Sequence, residues 1–491
     1  MEICLRYYSF FESQHHYIPQ VLENFVRLVH HNHVKVRTRS WYLFFRFVKN
    51  LRAQVGNMAK TVIGAISDLL PIKAELPTSN DADNDMSSDK VDDSADAVFQ
   101  GQLYLYEAIG YISSTSTTPV EDQALYARSI MQPLFADMNL HMPRAKAGDA
   151  QAILQIDHII QALGTLANGF SETNTNVQQK QRPPSPKPVS DEFSQAASAI
   201  LLALRELNTS SEVRHASRTA LSRLLGVMGT AVLPQLPQWI EGLLSQSSNT
   251  SEMAVFLRLL GQIVYKFKAD IRGILDLLLT PLLERVFAGL AEPTTGTDDE
   301  IQLQELRQEF VLFIQVIFQH GLGDVLVSEA NQGVFDSLVS AVITVGKEMV
   351  HGNMSASRVA FNVLSRMTVQ WGGPDVATVG KDPATSGPPA PLLPGFDGFV
   401  LDRFYGACWE VVRDARFKPG SDAQARQLLG EMMGLQQTIY RKTGDSFVRL
   451  VQNVTAPTLG LDAGEFLRAL TTSEDRKGVV TYVVNLLRPR R

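Results

Sequence analysis

Apolar positions recur along this chain at intervals of three and four residues, and almost nowhere at intervals of two. That period gathers apolar side chains on one face of an α-helix, so the chain is predicted to be all-α. Residues 18–31 read as one helix, Asn32 and His33 as a turn, and the stretch from about Val34 to Leu51 as a second helix. The same order of helix, short turn and helix returns over 191–229, 233–268, 271–320 and 334–370.

The second helices of these pairs superpose on one another. Val36-Arg37 followed by Phe44, Arg46, Phe47 and Val48 falls on Val213-Arg214 followed by Leu221, Arg223, Leu224 and Leu225. Ser217-Arg218-x-Ala220-Leu221-x-x-Leu224 falls in turn on Ser357-Arg358-x-Ala360-Phe361-x-x-Leu364. The offsets are roughly four and three multiples of the period of HEAT-type helical repeats. One helix pair cannot bury its apolar faces alone, so neighbours are expected to stack into an α-solenoid, an ARM-like α-α superhelix whose inner wall is a long binding surface. A non-repeating helical bundle is the alternative.

Three segments break the rhythm. Residues 79–97 carry Asp81, Asp83, Asp85, Asp89, Asp92, Asp93 and Asp96 against the single Lys90, which reads as a solvated acidic insertion. Residues 171–190, rich in proline, and 372–398, rich in glycine and proline, read as linkers. The expected organisation is thus HEAT repeats over 1–170 and 191–371, with a helical cap over 399–491.

Composition narrows the function. The 491 residues, 45% hydrophobic and 20% charged, describe an ordinary globular chain. Cys4 and Cys408 form no C-x-x-C pair, which excludes a disulfide framework or a thiolate zinc site and implies a reducing compartment. The apolar runs at 274–283 and 311–318 are too short to span a bilayer, so no membrane partner is expected. Gly346-Lys347 is followed by Glu348 and Gly380-Lys381 by Asp382, where a phosphate-binding loop needs Ser or Thr. With no nucleophile elbow, metalloprotease helix or EF-hand loop either, neither enzymatic activity nor a cofactor is expected. His30-His31-x-His33 has metal-compatible spacing, but no cysteine or carboxylate accompanies it, and it reads as a polar turn.

The helix from Lys35 to Leu51 carries the chemistry. At about 100° per residue, Lys35, Arg39, Tyr42, Arg46 and Lys49 share one narrow stripe. Trp41, Phe44, Phe47, Val48, Leu51 and Val55 fall on the opposite side. Arg37 falls on the apolar side and is expected at the helix start, bonded to turn carbonyls. A row of cations on an inner wall suits a phosphate backbone, with Tyr42 placed to stack on a base or to bond a phosphate or sugar. A solvated face is the alternative. The net charge of -6 confines any RNA contact to a local patch on an acidic protein.

The string Lys35-Val36-Arg37-x-Arg39-x-x-Tyr42-Leu43-Phe44-x-Arg46-Phe47-Val48-Lys49, within 18–70, resembles exportin-T, the transfer-RNA nuclear export receptors of the importin-beta superfamily. Gln102-Leu103-Tyr104-Leu105-Tyr106-Glu107-Ala108 and Val232-Leu233-Pro234-x-Leu236-Pro237 are similar to the same family. The resemblance implies a HEAT-repeat karyopherin that binds tRNA cooperatively with the GTPase Ran in its GTP form. It also implies contact with nuclear pore proteins and shuttling between nucleus and cytoplasm. Family members are much longer than this chain, which is expected to be the C-terminal half, with the main Ran-binding repeats outside it. The rival expectation is a HEAT scaffold or protein-cargo carrier that binds no RNA.

Overall fold

A computed structural model describes residues 1–76, 94–171, 189–244, 249–349, 354–377 and 392–487. The acidic insertion and the two linkers expected from the sequence lie largely outside these residues. Every regular element among the described residues is helical. The chain forms two compact units, Met1–Ser248 and Asn249–Arg491.

In the first unit α1 (Glu2–Arg6), α2 (Tyr8–Ser13) and α3 (Ile18–Val29) lead into α4 (Val34–Asn50), α5 (Arg52–Val55) and α6 (Ala59–Ile66). There follow α7 (Ala95–Ser113), α8 (Val120–Lys146), α9 (Ala150–Ser171), α10 (Ser190–Glu206), α11 (Ser211–Met228) and α12 (Leu236–Leu243). Helix starts are marked where a side-chain oxygen can satisfy an orphan amide. Ser94 accepts from the Ala97 amide ahead of α7, and Ser210 from Val213 ahead of α11.

The helices pack as pairs, α3 with α4, α8 with α9 and α10 with α11. The second members α4, α7, α9 and α11 stack side by side into one row. Small residues set how closely they approach. A Cβ on Gly110 would lie 2.8 Å from Gly169 Cα, and one on Gly164 would lie 2.9 Å from Ala220 Cα. At these crossings α7 meets α9, and α9 meets α11, backbone to backbone.

The extended stretch 70–76 after α6 needs partners for its buried peptide groups. Tyr106 donates its hydroxyl to the Leu70 carbonyl at 2.6 Å, Gln102 bonds Leu69 and Pro71, and Gln155 bonds Ile72 and Ala74. Polar residues on α7 and α9 thus strap this stretch down.

The second unit repeats the plan. Its helices are α13 (Thr250–Phe267), α14 (Arg272–Leu290), α15 (Thr297–Gln319), α16 (Phe335–Lys347), α17 (Ser355–Trp371), α18 (Phe396–Arg413) and α19 (Ala423–Thr443). Short helices follow to Leu486, and α13, α15, α17 and α19 form the row. The positions that superpose in sequence behave alike in both units. Ser40, Ser217 and Ser357 are buried, as are Phe44, Leu221 and Phe361, and Phe47, Leu224 and Leu364. This is the HEAT-repeat, all-α architecture expected from the periodicity.

Candidate nucleic-acid interface on helix α4

Helix α4 begins after the bend at His30–His33. His30 is tied to the Val26 carbonyl (2.7 Å) and to Asp68 (3.1 Å), while His31 Nδ1 accepts the His33 amide. The histidines therefore brace a turn. No group of His, Cys, Asp and Glu able to hold a metal ion occurs among the described residues.

The apolar face packs as its spacing requires. Phe47 stacks on Phe25 with ring centroids 4.9 Å apart, and the Trp41 indole donates to the Val29 carbonyl at 3.0 Å, so α3 covers one side. All six apolar residues assigned to this face are buried. Leu43 and Phe45 are buried as well, although both flank the cation stripe. Phe45 lies against α7, where Tyr104 stacks on it at 5.3 Å. Burial on these flanks sets the stripe apart along most of α4, with Val36 exposed beside its first turn.

On that strip Arg39 and Arg46 are exposed and Lys35, Tyr42 and Lys49 half-buried. Three of the five expected site residues touch. The Tyr42 ring lies between the two guanidinium groups, with Arg39 Cζ 5.4 Å and Arg46 Cζ 5.7 Å from its centroid. Arg46 Nη1 also donates to the Tyr42 hydroxyl oxygen at 2.7 Å. An arginine three residues before and four after a tyrosine shares its helix face, which is why this cluster forms. Tyr42 packs edge-on against Tyr104, 5.2 Å away. Lys49 stands apart from the cluster, its Nζ 5.7 Å from the Phe45 ring and 5.0 Å from the Tyr111 ring.

The structure adds an acid that the pattern did not show. Arg39 Nη2 donates to Glu2 Oε1 at 2.7 Å, and this bond holds the Glu2 carboxyl below its ordinary range. The pair is solvent-exposed on both sides, so water and salt screen it and it yields readily to a competing anion.

Arg37 departs from expectation. Its guanidinium lies 5.6 Å from the Trp41 ring instead of bonding a turn carbonyl. The equivalent Arg214 in α11 does bond the turn, donating to the Asn208 carbonyl at 2.6 Å. The difference follows from the residue one turn on, which is Trp41 in α4 and Arg218 in α11.

Sequence reasoning about α4 alone missed Tyr104, Tyr111 and Arg52. The tyrosines were detectable, because positions seven apart on a helix share a face. Their contact with α4 was not, because it depends on which helix lies beside it. Among the described residues no helix is long and apolar enough to cross a membrane. The Cys408 thiol is fully buried and pushed up to about 12 by that burial, which leaves it unreactive.

The architecture is that of a helical-repeat protein, with the second helices of successive pairs stacked in rows. A solved structure described as "Importin13 cytosolic state" matches with a TM-score of 0.56 and 13% identity, covering 96% of this chain and 47% of that one. At that identity the likeness concerns the fold. The Exportin-T family model matches residues 1–491, and the chain belongs to the Exportin-T family. Exportin-T of Chaetomium globosum is 66% identical over 491 residues, all of this chain and 48% of that protein. Exportin-T of Neurospora crassa is likewise 66% identical, and that of Aspergillus niger 48% identical over 473 residues. The chain spans about half the length of the curated relatives it matches.

Proposed function

We propose that this chain is the tRNA-holding part of a nuclear export receptor. In this reading it works with Ran-GTP, meets nuclear pore proteins and shuttles between nucleus and cytoplasm. Membership of the Exportin-T family supports the class, and the row of cations on α4 supports RNA as cargo. The observation that carries the proposal is the Arg39–Tyr42–Arg46 cluster, two guanidinium groups held about one ring on an exposed strip.

Lys35, Arg39, Arg46 and Lys49 are the phosphate contacts. Tyr42 is placed more as a spacer than as a stacker, since the guanidinium groups lie around its ring. Its hydroxyl accepts from Arg46, which leaves its own proton to donate to a phosphate or sugar oxygen. Point cations and backbone contacts suit a cargo recognised by shape, because they carry no base code.

Filter binding of tRNA tests this reading. Four phosphate contacts predict an affinity falling about a hundredfold between 50 and 200 mM salt. The double change Arg46→Glu and Lys49→Glu should weaken binding and flatten the salt response. Wild-type affinity in that double variant, with proteins alone retained from nuclear extract containing Ran-GTP, would instead establish a protein-carrying scaffold.

A further inference from the structure

The last two helices, Ala463–Thr471 and Lys477–Leu486, both pack on α19 and are joined by the turn 472–476. Two side chains fasten that turn. Gln437, buried in α19, donates from Nε2 to the Leu470 and Ser473 carbonyls at 2.9 Å each. From the far end of the turn, Arg476 donates to the Gly430 carbonyl and the Glu431 carboxylate, both at 3.4 Å. Its guanidinium lies over Gly434, where a Cβ would come within 2.4 Å of Cζ, so a glycine makes the seat.

The two fastenings are unequal. Arg476 has a left-handed backbone with φ 61°, and Lys268 is the one other non-glycine residue of positive φ among the described residues. A side chain makes that conformation unfavourable, so it persists only while its surroundings enforce it. Both Arg476 bonds are also longer than the usual range, whereas those of Gln437 are short and buried. Arg476 is therefore a strained clasp on weak bonds. It ends a side-chain relay, because Glu431 also accepts from Asn362 on α17, which accepts from Gln315 on α15. Next to the clasp, Thr472, Ser473, Glu474 and Asp475 are exposed. The Thr472 hydroxyl donates to the Arg468 carbonyl at 2.5 Å, and acids stand two and three positions on, at Glu474 and Asp475. An exposed threonine followed by acids suits a kinase with a basic substrate cleft, since complementary charge selects the substrate. Ser473 suits it less well, since Arg476 stands three positions on.

We propose that Thr472 is a phosphorylation site for an acid-directed protein kinase, and that its phosphate draws the Arg476 clasp off α19. The γ-phosphoryl group of ATP passes to Thr472 Oγ1. The bond from phosphorus to the ADP oxygen breaks, a bond to Oγ1 forms, and the hydroxyl proton goes to the kinase's catalytic base and then to water. The Arg468 carbonyl loses its donor. About two negative charges arrive at the negative end of the helix Ala463–Thr471, beside Glu474 and Asp475. Arg468 lies one helical turn back on the same face, and Arg476 closes the same turn. By moving to the phosphate, Arg476 relaxes its backbone and exchanges two long bonds for charge-assisted ones. The proposal does not depend on the RNA-binding reading.

The experiment treats the full chain with ATP and an acid-directed kinase, casein kinase II, and locates phosphate by peptide mass spectrometry. Amide hydrogen exchange of the treated and untreated protein is followed in parallel. Phosphate should appear on Thr472, vanish in Thr472→Ala and persist in Ser473→Ala. With it, exchange over 472–486 should quicken by about tenfold or more, while that of α4 stays unchanged. Arg476→Gly reads the clasp by itself, because glycine adopts the left-handed backbone without strain and the fold is kept. Its exchange over 472–486 should already be fast, with little further change on phosphorylation. Absence of phosphate from Thr472 would overturn the site. Phosphate on Thr472 with exchange unchanged, or Arg476→Gly exchanging as slowly as wild type, would overturn the release of the clasp.

Discussion

Arg39 has two neighbours of opposite kind, the Tyr42 ring and the Glu2 carboxylate. The ring orients the guanidinium, and the carboxylate competes for it. Glu2→Gln should therefore raise tRNA affinity by about twofold to fivefold at low salt, with the gain shrinking as salt screens the pair. Filter binding against the wild type measures it. A second residue-scale effect lies on α9, where His158 stacks on Phe99 with centroids 3.6 Å apart and Asp157 is buried beside it. Burial pushes the His158 imidazole down to about 4 and the Asp157 carboxyl up to about 6. The signs oppose one another. The depressed histidine contributes stability above its unfolded value of 6.5, and that contribution is lost as pH falls toward about 4. The raised aspartate contributes below its unfolded value of 3.8, and that contribution is lost as pH rises through about 6. Asp157→Asn should accordingly gain on the wild type by up to about 3 kcal/mol between pH 4 and 7. His158→Leu should drift the other way. Urea midpoints over that range read both.

Among elements, the spacing of the rows depends on small residues at the crossings. A Cβ on Gly169 would lie 2.5 Å from the Glu107 carbonyl and 2.7 Å from Gly110 Cα, so Gly169→Ala should destabilise the first unit by about 1–3 kcal/mol. Gly261, inside α13, has nothing within 4 Å of its would-be Cβ. Gly261→Ala should therefore stabilise the second unit by about 0.5–1 kcal/mol through helix propensity alone. Chemical denaturation of the two variants makes the contrast. The helix pairs themselves were legible, because an amphipathic helix writes its buried face into the sequence at every turn. Trp41, Phe44, Phe47 and Val48 were read correctly for that reason. The burial of Leu43 and Phe45 has no such signal: α7 lies against Phe45, and nothing in the α4 sequence says which helix lies alongside. The Arg39–Tyr42–Arg46 cluster is local and could be read from spacing, whereas Arg52 reaches Ser114 only through the packing of α5 on the turn after α7.

For the whole molecule, a net charge of -6 means that any polyanion meets overall repulsion and local attraction. A patch of a few cations on such a protein favours a compact partner that fits its surface over an arbitrary charged rod. Binding of tRNA should exceed that of duplex DNA of equal charge by about tenfold or more at 150 mM salt, as competition filter binding would show. The amino-acid sequence on its own determined the all-helical class, the repeat period and the stripe of Lys35, Arg39, Tyr42, Arg46 and Lys49. Each of these depends on residues a few positions apart along one helix, where geometry follows from the 3.6-residue turn. Tertiary structure alone decided that Glu2 would meet Arg39 and that Lys49 and Arg52 would share the Tyr111 ring. Those pairings join separate helices, and their geometry is set by how closely backbones can approach at glycines such as Gly56 and Gly110.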